Sequence, residues 1–412
     1  MPLFLLPVDR MLGRGRTRKL NRLAWLSSLA GLVALSGCHR NRFPSFAADY
    51  REFAYVSDGA TGTVTILDLV NLRADHTIQV GRQPTGLAVN PVRNEVYAVN
   101  TGSDSVSVID VETNRVTATV GVHRAPYFLS VAPDGKRGYV ANSGSNSVTV
   151  LDLEKHHEIG TVAAGEAPGM ARVAPDNRTV VVSNRKAGSI SVYSVNTTGT
   201  QPLHLRSTFN NCPGATDVAI LPDSTKSFIS CSESHQIMAV WLGVASDTWR
   251  GKQDASLQQD HLLAFLDVGK TPVHLALKPD GGEVFSTNFG ANSISEISTW
   301  TNDVSGTYPV VMQPSQALVS RDDSSLWITD FGADSATLYS IDDGRVVGSV
   351  RTGSKPDALA FSADEHLLLV VNSGSADVAV IRTNSVGGPT LFTVLPTGAQ
   401  PNDIVVKSFH VH

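Results

Sequence analysis

The stretch Tyr139 to Leu153, YVANSGSNSVTVLDL, is a near copy of YAVNTGSDSVSVIDV at Tyr97 to Val111. Aligned on the residue that opens this pattern, copies begin at Tyr55, Tyr97, Tyr139, Val181, Phe228, Phe285, Trp327 and Leu369, in steps of 42, 42, 42, 47, 57, 42 and 42. A period this regular marks a repeat architecture: each copy is one supersecondary unit, and neighbouring copies stack to bury a shared core. No single motif constrains the fold as strongly.

Each copy reads as two adjacent strands of one antiparallel sheet. The fourth position holds Asp58, Asn100, Asn142, Asn184, Cys231, Asn288, Asp330 and Asn372. Asn and Asp end strands well, because their short side chains bond the local backbone and tolerate left-handed conformations. A turn rich in Gly, Ser and Asn follows, and then Val-x-Val alternation resumes with period two. Thirteen residues before most copies stands a proline, Pro84, Pro126, Pro168, Pro272, Pro314 and Pro356, leading a short apolar strand; Ala215 takes this position in the fifth copy. The first copy lacks such a strand, and a Pro-led strand without a hairpin, Pro401 to Lys407, stands at the far end. The two absences cancel if the units form a ring, with Asn402 to Lys407 completing the sheet begun at Tyr55. The expected fold is therefore all-β: a β-propeller of four-stranded antiparallel blades, most simply eight and alternatively seven, closed by its C-terminal strand. The 57-residue step holds an insertion, about Val244 to Gln259, expected as a surface loop between the third and fourth strands of one blade.

The Tyr-Val-Ala/Val-Asn opening, the Gly-Ser turn, the Val-x-Val-Ile/Leu-Asp close and the Pro-x-x-Leu-Ala strand resemble the YVTN-type β-propeller repeat proteins of bacteria and archaea. The resemblance covers about Glu52 to Lys407. It implies the blade architecture and says little about activity, because the matching residues build blades. Many members of that family look seven-bladed, so a count of eight is a departure. The architecture is also similar to the eight-bladed haem domain of a respiratory nitrite reductase and to the propeller subunits of quinoprotein amine dehydrogenases.

The N-terminus reads differently. Arg10, Arg14, Arg16, Arg18, Lys19 and Arg22 precede an apolar run, Leu23 to Leu35, that is short for a membrane span and suited to a signal peptide. Leu35-Ser36-Gly37-Cys38 resembles the bacterial lipobox, which implies diacylation of Cys38 and a membrane partner reached through that anchor. The expected organisation is a lipoprotein signal peptide at 1–38, starting at Met1 or Met11, a polar tether at 39–50 and one propeller domain at 51–412. His39 and Arg40 lack the Asp that retains many lipoproteins in the inner membrane, which leans toward a periplasm-facing or outer-membrane location in the cell envelope.

Function must come from sites, since one fold hosts unrelated activities. Two residues past each Pro position stand Gly86, Phe128, Met170, Asp217, His274, Gln316, Ala358 and Asp403, expected at the mouth of the central channel. If Asp217, His274 and Asp403 converge, they bind a metal or act as acid and base; otherwise they line a wet mouth. Arg172 either holds an anion in the channel or pairs with Asp217. Tyr127 and Phe128 either stack on a ligand or pack between blades. Cys212 and Cys231 are placed for a disulfide in an oxidising periplasm. The strand-end residues Asp68, Asp110 and Asp152 recur with the repeat, which fits turn capping better than calcium binding.

Several chemistries are absent from the sequence. A net charge of −5 gives no basic footprint for nucleic acid. There is no Cys-x-x-Cys-His, no Gly-x-Ser-x-Gly and no His-Glu-x-x-His. The sequence thus favours a non-enzymatic binding scaffold without a cofactor, its partner an envelope protein, peptide or glycan. The alternative is an enzyme or cofactor carrier of the lactonase, quinoprotein or haem-domain kind, using the channel mouth.

Overall fold

The computed structural model describes residues 45–197, 201–243 and 258–411. The chain divides into two compact units, Met1–Ser45 and Phe46–His412, and the described residues belong almost wholly to the second. The basic segment, the apolar run and the lipobox with Cys38 lie outside the described residues, as does the insertion's segment 244–257. The strands on either side of that insertion, Gln236–Trp241 and His261–Asp267, are the third and fourth of one blade. Of the segment read as a tether, Phe46 stacks on Tyr50 at 4.8 Å and Tyr50 already belongs to the first strand.

Eight four-stranded antiparallel sheets follow one another around a ring. Blade 1 consists of Tyr50–Asp58, Thr63–Asp68 and Arg73–Gln79, with Pro401–His410 as its inner strand. That inner strand pairs antiparallel with the first, from Tyr50 opposite His410 to Asp58 opposite Pro401, and so joins the two ends of the domain. Blades 2 to 8 each begin with their own inner strand: Pro84–Val89, Pro126–Val131, Pro168–Val173, Ala215–Ile220, Pro272–Leu277, Pro314–Val319 and Pro356–Phe361. The opening residue of each second strand, Tyr55, Tyr97, Tyr139, Phe228, Phe285 and Trp327 among them, is buried between blades. In the cluster between blades 1 and 2, for example, Tyr55, Val64 and Ile66 meet Leu87, Val96 and Ala98. Burying such faces at about 25 cal/mol per Å² of apolar surface is the main term holding successive blades together.

The repeated Asn or Asp works differently from the sequence expectation. It is fully buried, and it bonds across the hairpin rather than to its own turn. Asn100 Nδ2 donates to Ser105 Oγ at 3.2 Å and Ser107 Oγ at 3.0 Å, while its Oδ1 accepts the Gly81 amide at 3.0 Å. Asn184 repeats this with Ser189, Ser191 and the Gly165 amide. The left-handed residue is four positions later, at Asp104, Asn146, Asn292 and Asp334, for instance. In the interblade loop Gly81 lies against Asn100, where a Cβ would sit 2.6 Å from the Asn100 side chain. His123 and Val311 stand at this position in two blades, where Asn142 Oδ1 and Asp330 Oδ1 have no partner, and the same holds for Asn372 Oδ1 opposite Gly353.

Blade 5 substitutes both members of this pair at once. Cys212 stands at the glycine position and Cys231 at the Asn position, and the two form a disulfide with Cα atoms 4.7 Å apart. A covalent bond therefore occupies the place of the Asn–Gly hydrogen bond. Closing a loop of 19 residues is worth about 3 kcal/mol on chain-entropy grounds.

Asp330 shows the cost of using a carboxylate at this position. Burial pushes its carboxyl up to about 6, despite hydroxyl donors from Thr337 and Ser335 at 2.6 and 3.0 Å. A raised carboxyl pKa means the native state binds the proton more tightly. Stability falls as pH rises from about 3.8 through 6, by about 3 kcal/mol at most. Asp330→Asn, which restores the residue of five other blades, is expected to raise the melting temperature at pH 7.5 and to raise it much less at pH 4.5. A melt at both pH values checks this; equal effects would assign the gain to something other than the charge.

Candidate functional site: the mouth of the central channel

The inner strands begin at one face of the ring, so the residues just past each Pro position surround one mouth of the channel. Because blades follow the chain in order, equivalent residues of successive blades meet, whereas those four blades apart face each other across the channel.

Asp217 and His274, on successive blades 5 and 6, do meet. His274 Nδ1 donates to Asp217 Oδ2 at 2.8 Å, and Arg172 Nη2, from blade 4, lies 3.6 Å from Asp217 Oδ1. The carboxylate also accepts the Val218 amide at 2.7 Å and the Leu275 amide at 2.9 Å. His274 Nε2 lies 3.1 Å from the Ala317 carbonyl, so both ring nitrogens face acceptors. Burial of Asp217 acts to raise its pKa. The charge and hydrogen bond of His274, followed by Arg172, outweigh that and hold it below the ordinary value. The carboxylate and the imidazole are thus fully used within the protein, binding blades 4, 5, 6 and 7 to one another. Both ring nitrogens of the imidazole and both oxygens of the carboxylate already have partners within the protein.

Asp403 lies on blade 1, diametrically across the ring from Asp217, so the three residues do not converge. It holds the same repeat position and makes the same backbone bonds, accepting the Ile404 amide at 2.8 Å and the Leu87 amide of blade 2 at 2.8 Å. The place that His274 takes beside Asp217 is taken here by Gly86, and that of Arg172 by Ala360. Without a cation, burial pushes Asp403 up to about 6, the charge of Asp357 adding to the effect.

The other expected residues line the same mouth. The Arg172 guanidinium lies 5.2 Å from the centre of the Phe128 ring. Arg185, which the sequence reading passed over, covers the Tyr127 ring at 4.5 Å. Gly169 makes room for it, since a Cβ there would sit 2.9 Å from Arg185 Cδ. Gln316 is anchored through its backbone, its amide donating to Thr329 Oγ1 at 2.9 Å. The mouth is bipolar in consequence: guanidiniums on blade 4 face carboxylates on blades 8 and 1. Among the described residues, no group of three or more His, Cys, Asp or Glu side chains is placed to hold a metal ion. Away from the mouth, Asp68, Asp110 and Asp152 each accept backbone amides of the following turn, as at Asp110 Oδ1 and the Thr113 amide, 2.8 Å apart.

A family model described as a YNCE-like beta-propeller matches residues 17–142, which take in blade 1 up to its closing strand, blade 2 and half of blade 3. The same repeat builds all eight blades. Over that span the chain matches a YVTN-type repeat propeller, and the same pattern recurs in the remaining blades. No curated protein sequence matches it. Among solved structures, the chain is similar to the dihydro-heme d1 dehydrogenase NirN in complex with DHE, with a TM-score of 0.69 at 16% identity over 89% of this chain and 76% of that one. It is likewise similar to Citrobacter koseri AztD, with a TM-score of 0.65 at 13% identity over 88% of this chain and 100% of that one. A putative 6-phosphogluconolactonase from Bacteroides fragilis follows, with a TM-score of 0.59 at 14% identity over 89% and 100%. At these identities the likeness is one of fold.

Proposed function

We propose that this chain is a lipid-anchored propeller of the bacterial cell envelope that acts by binding, without catalysis, and presents the channel mouth to an envelope protein, peptide or glycan. The observation that carries this reading is that Asp217 and His274 are engaged with each other and with the backbone of neighbouring blades. The carboxylate–imidazole pair is the arrangement at this mouth most like acid–base machinery, and both of its members are spent on holding blades together. General acid–base work requires a group within reach of a substrate proton. The same observation weighs against a haem-type carrier of the NirN kind, because both His274 nitrogens already have partners. The anchor rests on the lipobox at Leu35 to Cys38 and the basic, apolar lead before it.

Intact-mass spectrometry with elemental analysis tests the reading on full-length protein extracted from the envelope in detergent. The expected mass is that of a chain beginning at an acylated Cys38, with no stoichiometric metal or chromophore. An unacylated chain would overturn the anchor. A stoichiometric metal or chromophore that disappears in His274→Ala would overturn the non-catalytic reading in favour of a cofactor-bearing propeller.

A further inference from the structure

Beside the channel, at the same mouth, a cleft of about 520 Å³ opens among blades 7, 8 and 1, lined by Phe331, Lys355, Asp357, Ser373, Gln400 and Asn402 among others. We propose that this cleft binds a small zwitterion carrying one ammonium and one carboxylate, of the α-amino-acid class. The inference goes beyond the scaffold reading and does not depend on a macromolecular partner.

The repeat position one past each Pro is neutral in every blade but one. It holds Thr85, Tyr127, Gly169, Thr216, Val273, Ser315 and Asn402 in the other blades, all uncharged, and Asp357 in blade 8. These neutral residues serve the ring: Thr85 bonds Thr101, Ser315 bonds Thr329, and Asn402 donates to the Pro84 carbonyl. Asp357 does nothing of the kind. Among the described residues it has neither a hydrogen-bond donor nor an ion-pair partner, and burial raises its carboxyl. An unpaired carboxylate that is only partly exposed, at the wall of a cleft, is favoured by a cation that reaches it. Asp403 next to it has the same sign, so both favour a positive group in this part of the mouth.

Two residues before Asp357 stands Lys355, the other charged group of the cleft. It forms no ion pair among the described residues; its ammonium stands 5.9 Å from the centre of the Phe331 ring. The backbone that carries it is fixed: Lys355 adopts φ 54°, its amide donates to Asp334 Oδ1 at 2.9 Å, and its carbonyl accepts the Ser373 amide at 3.0 Å. Lys355 and Asp357 flank Pro356, and their Cα atoms are at most about 7 Å apart. They leave each other unpaired while lining one cleft. A ligand whose opposite charges are separated by a bond or two answers both, its ammonium on Asp357 and its carboxylate on Lys355, with Phe331 as the apolar wall for a side chain. A simple cation would meet the repulsion of Lys355, and a simple anion that of Asp357 and Asp403.

The test uses the full-length protein in detergent, with the twenty common L-amino acids screened singly by thermal shift and the strongest measured by isothermal calorimetry. At least one is expected to bind. Its N-acetyl derivative and its amide, each lacking one charge, are expected to bind at least tenfold more weakly, as are Asp357→Asn and Lys355→Gln to the amino acid itself. Lys355 is exposed, so its variant folds whatever Asp357 contributes to stability. Arg172→Gln, on the opposite side of the channel, is expected to leave this affinity unchanged. Binding by none of the twenty, or binding that survives either cleft variant, overturns the site. Because no metal, chromophore or acyl group enters this readout, its failure leaves the scaffold reading standing.

Discussion

Deleting Pro401 to His412 is expected to abolish the folded monomer. The strand removed is the inner strand of blade 1, and its loss strips nine register positions from the ladder with Tyr50–Asp58. Lost with it are the Asn402 bond to the Pro84 carbonyl at 2.8 Å, the Lys407 bond to the Asn90 carbonyl at 2.8 Å, and the Asp403 bond to the Leu87 amide at 2.8 Å. These three join blade 1 to blade 2 across the point where the chain's ends meet. At a net value of about 1 kcal/mol per hydrogen bond, the ladder alone approaches the whole net stability of a folded domain, about 5–15 kcal/mol. Buried Ile404 and Phe409 add their apolar area to the loss. The remaining edge is a bare strand at a channel wall, which invites pairing between chains. Size-exclusion chromatography and near-UV circular dichroism should therefore show aggregated or loosely folded material, and a synthetic peptide of residues 399–412 should partly restore the monomer. A truncated protein that melts cooperatively within a few degrees of the full chain would mean that closure is not what holds the ring.

That closure was legible in the sequence because two gaps in one pattern matched: a hairpin without a Pro-led strand at Tyr55 and a Pro-led strand without a hairpin at Pro401. The blade count followed from the same alignment. The site was only partly legible. The column two past each Pro contained Asp217, His274 and Asp403, but whether they meet depends on blade order: Asp217 and His274 are successive, whereas Asp403 is half a ring away. The repeat order already held that information. Asp357 was missed because it stands one column earlier, where it is the single charged residue among eight. Arg185 left no columnar signal at all; its reach over Tyr127 depends on the missing side chain at Gly169. The partners of the repeated Asn were misjudged for a related reason: local turn chemistry is visible in sequence, whereas a bond to a glycine amide 19 residues earlier requires the register of the sheet.

Asp217→Ala is expected to destabilise the protein by about 3–5 kcal/mol, the usual result of removing one partner from a buried charge cluster. It leaves the Leu275 and Val218 amides without acceptors and sets His274 and Arg172 near each other without an anion. For a domain of this size the loss corresponds to a fall in melting temperature on the order of 5 °C. Asp403→Ala removes the same two kinds of amide bond at the equivalent place on the opposite blade, where no cation is present. It also relieves a carboxyl already pushed up to about 6 beside Asp357. The difference between the two variants therefore isolates what the cationic partners contribute, and pH separates them further. Asp217 has a lowered pKa, so its contribution is complete above about 3.8 and is lost as pH falls through the lower native value. Asp403 has a raised pKa, so wild type loses stability as pH rises through about 6, and the penalty of Asp403→Ala shrinks over that range. Melting temperatures of both variants and wild type from pH 3 to 8 should show the Asp217→Ala gap narrowing as pH falls below about 4, and the Asp403→Ala gap narrowing toward pH 8. Parallel profiles would show that the two carboxylates act only as backbone acceptors, and that the charges gathered around Asp217 do not stabilise the ring.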